Sequence, residues 1–253
     1  TNSSSPPLTL RSIASRLGAA ALGALLVGCA SLPPVPADRV ASTAIADGRD
    51  TQLGRLVAPL LAAAPEGTSG FHALADPRDA FAARMALAAA AERSIDAQYY
   101  IWHGDRAGTL LFEALWRAAE RGVRVRLLLD DANTRGLDRV LAALEAHPNV
   151  EVRLYNPFVQ RSARVLGFAT DFGRLNRRMH NKSFTADNVA TIVGGRNIGD
   201  EYFAAGDGAD FADLDVIGIG PAVAETSTQF DRYWNSAVVV PTSPLAASFS
   251  VPS

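Results

Sequence analysis

The sequence predicts an α/β fold, a mixed and mostly parallel sheet flanked by helices on both faces. Three observations carry that prediction. Short aliphatic and β-branched runs alternate with longer stretches whose apolar residues recur at helical spacing, the βαβ order of a largely parallel sheet. At 253 residues and 48% hydrophobic content, the chain can fill one good-sized core. Around Asp187-Asn188 the order changes, because a turn dipeptide there joins two strands into a hairpin.

The folded body is expected over residues 52–236. Leu53, Leu56, Val57, Leu60 and Leu61 mark a short amphipathic helix, and Phe71 to Leu74 reads as a first strand. Phe81, Met85, Leu87 and Ala88 define a helix whose small residues suit close packing on a sheet. A buried strand follows from Ile95 to Trp102. The next helix, Thr109 to Glu120, turns Leu110, Leu111, Ala114, Leu115 and Ala118 inward and stops at Gly122. Val123 to Leu129 is a strand ending at Asp130-Asp131. Leu137, Val140, Leu141 and Leu144 line a helix halted by His147-Pro148, and Val150, Val152 and Leu154 alternate as a strand. Beyond the hairpin come a strand over Val216 to Ile219 and a closing helix from Ala222 to Asn235. Residues 237–253, rich in Pro, Ser and Ala, are expected to form an unstructured tail.

The N-terminus reads differently. Arg11 and Arg16 precede a short apolar run, Leu17 to Val27, and Leu26-Val27-Gly28-Cys29 closes it. The run is too short to span a bilayer comfortably and fits a signal-peptide core. It resembles the lipobox of bacterial lipoprotein precursors. That likeness implies a signal peptide over residues 1–28 and lipidation of Cys29. It places the mature chain in the bacterial cell envelope, anchored on the periplasmic side, and Ala30 after the cysteine leans towards the outer membrane. Residues 29–51, rich in Pro, Ser and Ala, are expected to be a flexible tether.

A net charge of −2 argues against a broad basic surface for nucleic acid. One cysteine excludes an internal disulfide framework. Four scattered histidines without ligand spacing give no reason to expect a metal. Phe158 to Leu175 mixes Phe158, Val159, Val165, Leu166, Phe168, Phe172 and Leu175 with Arg161, Arg164 and Arg174. Core packing is one reading of it, and an arginine-edged face that approaches lipid is another.

The densest chemistry lies between residues 180 and 197. His180 and Lys182 are two apart and share one face of a strand. The return strand, Thr191-Ile192-Val193, ends at Gly194-Gly195, and Asn197 sits where a helix could begin. An imidazole, a cation, bare backbone amides and a carboxamide would then converge on one small volume, equipment for holding and attacking a phosphate ester. The pattern His-x-Lys-x4-Asp-x6-Gly-Gly-x-Asn resembles the signature of the phospholipase D superfamily, with Asp187 as its acidic member. The likeness runs from about Leu53 to Asn235 and includes Gln98-Tyr99-Tyr100-Ile101-Trp102, Leu127-Leu128-Leu129-Asp130-Asp131 and Phe230-Asp231-Arg232-Tyr233-Trp234-Asn235. Arg174 to Met179 is similar to the cardiolipin synthase branch.

The resemblance implies a role for each residue. His180 would attack phosphorus and form a phosphohistidine, splitting one displacement into two. An acidic partner should hold its other N–H, Asp213 by resemblance, with Asp215 on the same face as the alternative. Lys182 and Asn197 would bind non-bridging oxygens. Gly194 and Gly195 would let the backbone turn beside the substrate, and Arg178 would contact it. Asp187 belongs to the catalytic signature and reads as the tie of the hairpin turn. A helix after Asn197 would add its dipole. For His103, which follows a strand, lining the pocket is the less favoured reading.

No metal or organic cofactor is implied. Members of the superfamily build one site from two motif copies, and this sequence carries one. The expected partner is therefore a second lobe of the same kind, either in a missing C-terminal half or in a homodimer, and truncation is the favoured explanation. The function expected is a phospholipase D or phosphatidyltransferase of cardiolipin synthase type acting on membrane glycerophospholipids. A single-motif homodimeric phosphodiesterase or nuclease, and an inactive lipid- or partner-binding lipoprotein, are the alternatives.

Overall fold

The computed structural model describes residues 41–159, 164, 171–206 and 211–242. Eight strands form one sheet: β1 (Gly70–Leu74), β2 (Ser94–Tyr99), β3 (Arg124–Asp130), β4 (Val150–Tyr155), β5 (Ser183–Ala186), β6 (Ala190–Gly194), β7 (Asp215–Ile219) and β8 (Val239–Pro241). Their order across the sheet is β1-β7-β6-β5-β2-β3-β4-β8. The helices are α1 (Gln52–Ala62), α2 (Pro77–Ala90), α3 (Arg106–Glu120), α4 (Asp138–Glu145), the single turn α5 (Phe172–Leu175) and α6 (Pro221–Trp234). Among the described residues, no helix is long and apolar enough to cross a membrane.

Local chemistry sets where the helices begin. Thr51 caps α1 by accepting from the Gly54 amide, and Asp76 caps α2 ahead of Pro77. Asp105 caps α3 by accepting from Gly108, so that helix starts earlier than Thr109, where apolar periodicity alone put it.

The mixed α/β architecture is as expected, but the sheet is not mostly parallel. Only β2–β3 and β3–β4 run parallel. The other five pairings are antiparallel, because the short turn at Asp187-Asn188 reverses β5 into β6, and β7, β1 and β8 then add in alternating directions. Strand alternation divides the core between two faces. Ile95, Ala97, Tyr99, Val125, Leu127 and Leu129 join α2, α3 and α4 in the main apolar cluster. On the other face Leu128 packs with Phe230 and Trp234 of α6. There Arg126 pairs with Asp96 at 2.7 Å and with Asp231 at 2.8 Å, its guanidinium 4.8 Å from the Phe230 ring centroid.

Two predicted boundaries move. The tether expected to reach residue 51 ends earlier, since residues 41–51 are held on the body. Trp234 Nε1 donates to Ser42 Oγ at 2.8 Å, Asn235 Nδ2 and Arg126 Nη1 both donate to the Ser42 carbonyl, and Asn188 Nδ2 donates to the Ile45 carbonyl. The unstructured tail expected from residue 237 is, up to Thr242, part of the sheet. Val239 and Val240 are buried and β8 pairs with β4. The expected signal peptide, Cys29, residues 30–40, Arg161, Val165, Leu166, Phe168 and residues 243–253 lie outside the described residues.

Candidate active site

Sheet register gathers the motif at one edge. Gln98 pairs with Ser183, Ser183 with Val193, and Val193 with Val216, while Gly194 stands opposite Asp215. The end of β2, the start of β5, the end of β6 and the start of β7 therefore emerge together. This is the carboxyl edge of the parallel strands β2 and β3, where α/β folds commonly hold ligands.

His180 and Lys182 lie in extended chain immediately before β5 rather than inside a strand. They are nevertheless brought together. Lys182 Nζ is 3.1 Å from His180 Nδ1 and donates to the His180 carbonyl at 2.7 Å. The His180 ring is exposed, whereas Lys182 is only 7% exposed. A neutral imidazole that accepts from the ammonium at Nδ1 carries its hydrogen at Nε2. Burial lowers the Lys182 pKa, and Asp213 and Asp215 oppose that shift. Tyr100, which sequence reasoning quoted without giving it a role, faces both groups. Its ring centroid is 4.9 Å from that of His180 and 5.6 Å from Lys182 Nζ.

Asn197 is at the same edge and is 4% exposed. Its Oδ1 accepts from the Ile101 amide at 3.0 Å and its Nδ2 donates to the Tyr202 hydroxyl at 3.1 Å. No helix begins at Asn197. One turn of 3-10 helix, Asp200–Tyr202, follows instead, too short to supply the expected dipole. The paired glycines serve close approach. A methyl group on Gly194 would fall 2.1 Å from Asp215 Oδ1, and one on Gly195 would fall 2.2 Å from Asp213 Oδ1.

The acidic residues separate by role. Asp213 lies against Gly195 just before β7, and among the described residues His180 is hydrogen-bonded through its ring to Lys182 rather than to Asp213. Asp215, the alternative partner, is fully buried and committed to arginines, with Oδ2 2.9 Å from Arg84 Nη2 and 3.7 Å from Arg196 Nη1. Among the described residues the hydrogen bonds to its carboxylate come from Arg84 and the Arg196 amide, and none from the His180 ring. Asp187 stands apart from His180, Lys182 and Asn197. The four residues of β5 lie between it and Lys182, five steps along the chain or roughly 16 Å. Its buried carboxylate accepts from the amides of Glu92, Arg93 and Ser94. Both Asp187 and Asn188 have φ of +52°, the left-handed turn conformation that Asp and Asn tolerate.

Arg178, expected to contact substrate, is drawn inward. Its Nη1 pairs with Asp130 at 3.0 Å, Nε donates to the Leu175 carbonyl, and the guanidinium lies 5.3 Å from the Phe158 ring centroid. Burial raises the Asp130 pKa, and the Arg178 charge opposes the shift. His103 Nδ1 is 3.1 Å from Glu201 Oε1. With Asp105 these two gather possible metal-ligand atoms within 4.8 Å of one another. Contacts between residues this distant in sequence left no spacing signal.

The family described as "Cardiolipin synthase, PLD-like domain" matches residues 85–234. Cardiolipin synthase C of Escherichia coli (strain K12) is 56% identical over 201 residues, 79% of this chain and 42% of that protein. The major cardiolipin synthase ClsA of Bacillus subtilis (strain 168) is 34% identical over 167 residues, 65% of this chain and 33% of that protein. This chain thus spans about two fifths or less of these relatives. Among solved structures, the phosphatidylserine synthase of Haemophilus influenzae Rd KW20 is similar in fold, with a TM-score of 0.53 at 14% identity, covering 72% of this chain and 40% of that one. A family match over more than half of its length places the chain in the cardiolipin synthase, phospholipase D-like domain family.

Proposed function

We propose that this chain supplies one half of the active site of a phosphatidyltransferase or phospholipase D of cardiolipin synthase type, acting on membrane glycerophospholipids. The observation that carries the reading is the 3.1 Å approach of the Lys182 ammonium to the His180 ring beside Tyr100. That closeness supports the reading, because one phosphate could meet both an imidazole and an ammonium held so near each other. The kinship with cardiolipin synthase C supports the substrate class.

In the first step a lone pair of the His180 ring forms an N–P bond as the P–O bond to the departing alcohol breaks. That oxygen keeps the electron pair and takes a proton from an acid on a second lobe. In the second step the acceptor, an alcohol or water, attacks phosphorus. The N–P pair returns to the ring, and the acceptor's proton passes to the second-lobe group. Lys182 and Asn197 hold the non-bridging oxygens as charge redistributes. For attack through Nε2, the Lys182 contact at Nδ1 must give way to an acceptor, and Asp213 is the group assigned to that task. Membrane attachment through Cys29 on the periplasmic side completes the reading, supported by the lipobox-like Leu26-Val27-Gly28-Cys29.

Incubation of the purified chain with labelled phosphatidylglycerol, alongside a native mass measurement, tests this. Where a second copy of the chain completes the site, phosphatidyl release or transfer that His180→Ala reduces by at least about a thousandfold is expected, the scale of losing a covalent nucleophile. Turnover indifferent to His180→Ala, or cleavage of DNA with no lipid turnover, would overturn the proposal. A monomer that binds short-chain phosphatidylglycerol without turning it over identifies the chain as the lipid-holding half.

A further inference from the structure

The orientation of the Asn197 carboxamide is fixed from both sides. Its oxygen accepts from Ile101 and its nitrogen donates to Tyr202. Exchanging the two ends would set an N–H against the Ile101 N–H, so only the observed orientation satisfies the backbone donor. One N–H of the amide is spent on Tyr202 and the other remains for a ligand.

Tyr202 receives that bond on its oxygen, which leaves its own proton to give. Among the described residues no acceptor takes it. The residue as a whole is only 7% exposed. Burial raises its pKa; the Asn197 hydrogen bond works against this, and Glu201, Asp213 and Tyr100 add to the rise. The hydroxyl therefore stays protonated at neutral pH. Its bond to Asn197 sets it at the same sheet edge. Tyr100 lies against His180, and Asp213 is one of the charges felt by Lys182. An O–H donor 3.1 Å from the amide assigned to the phosphate, with no protein acceptor among the described residues, is free to meet the same anion.

We propose that Tyr202 is a further phosphate-binding residue, donating its hydroxyl proton to a non-bridging oxygen of the phosphoryl group that Asn197 and Lys182 hold. The inference rests on the phosphohistidine reading of the site. The competing role is purely structural, with Tyr202 serving only to accept from Asn197.

Orthovanadate, a phosphate analogue, provides the test on the full chain, with binding followed by 51V NMR and folding by thermal melting. Wild type, His180→Ala, Tyr202→Phe, Asn197→Ala and the Tyr202→Phe/Asn197→Ala double variant are compared. Removal of a hydrogen bond to a charged ligand should weaken binding about tenfold or more in Tyr202→Phe. A further loss should remain when Tyr202→Phe is added to Asn197→Ala, because the donor acts directly. If the loss vanishes in the Asn197→Ala background, Tyr202 acts only through Asn197 and the proposal fails. Equal affinity of Tyr202→Phe and wild type also overturns it. Failure of wild type to bind, or binding that His180→Ala leaves intact, removes the phosphate-site reading itself and this inference with it. Should Tyr202→Phe melt early, a fluorinated tyrosine at position 202 preserves shape while ionising nearer neutral pH. Its vanadate affinity should then fall with rising pH faster than that of the parent chain, and parallel curves would contradict direct donation.

Discussion

At Lys182, burial lowers the ammonium pKa from the ordinary 10.5, while Asp213 and Asp215 push it back up. Between the lowered folded value and 10.5 the unfolded chain holds the proton more tightly than the folded one. The cost of burying the charge is therefore fully present below the folded pKa and is relieved as pH rises through it. That same deprotonation would strip the proposed phosphate site of its cation. Orthovanadate affinity should fall on the alkaline side before an ordinary lysine would titrate, and Lys182→Arg should delay the fall. Identical alkaline profiles for both proteins would contradict this account. Asp187 tests the opposite kind of role. Its carboxylate closes three backbone donors, those of Glu92, Arg93 and Ser94. Asp187→Ala should cost about 3 kcal/mol in urea unfolding, since each stranded amide costs about 1 kcal/mol or more. The folded fraction should bind the phosphate analogue as wild type does, and a loss of affinity without a loss of stability would return Asp187 to the catalytic group.

At the level of elements, the site depends on β6 and β7 approaching without side chains between them. A methyl on Gly194 meets Asp215 Oδ1 at 2.1 Å and the Leu214 carbonyl at 2.5 Å, and Asp215 is locked to Arg84 in the core. Gly194→Ala must therefore displace backbone and strain a buried ion pair, at a cost on the order of 3 kcal/mol. The atoms nearest a methyl on Gly195 belong to the Asp213 side chain, which can swing away. Gly195→Ala should cost clearly less stability while moving the carboxylate assigned to orient His180. Equal denaturation midpoints for the two variants would refute this distinction. The hairpin was legible because Asp187-Asn188 and the glycine pair are local signals. The fate of Arg178 was not, since its partner Asp130 is 48 residues away.

Across the whole molecule, β8 shows how a low-complexity composition can still complete a sheet. Val239 and Val240 are buried on opposite faces, and Thr242 donates its amide to the Val152 carbonyl. Truncation after Ser236 should remove about 4 kcal/mol, roughly 2 kcal/mol for each buried valine, and leave β4 as an open edge prone to association. Urea midpoints and light scattering read the two effects separately. An unchanged midpoint would mean that β8 is only an ornament on the sheet. Residues 41–51 make the same point at the other end, where Ser42 is gripped by Trp234, Asn235 and Arg126.

By itself the sequence determined the order of helices and strands, the hairpin, and the family motif from which the candidate phosphate-holding residues are proposed, because those signals are carried by neighbours in the chain. Tertiary structure alone decided the direction of most strand pairs, the attachment of both ends of the body, and the sorting of four acidic residues. It committed Asp187 to backbone amides, Asp215 to Arg84 and Arg196, and Asp130 to Arg178, and it left Asp213 beside the site. A carboxylate's role is fixed by which donors surround it after folding, and those donors arrive from elements far apart in sequence.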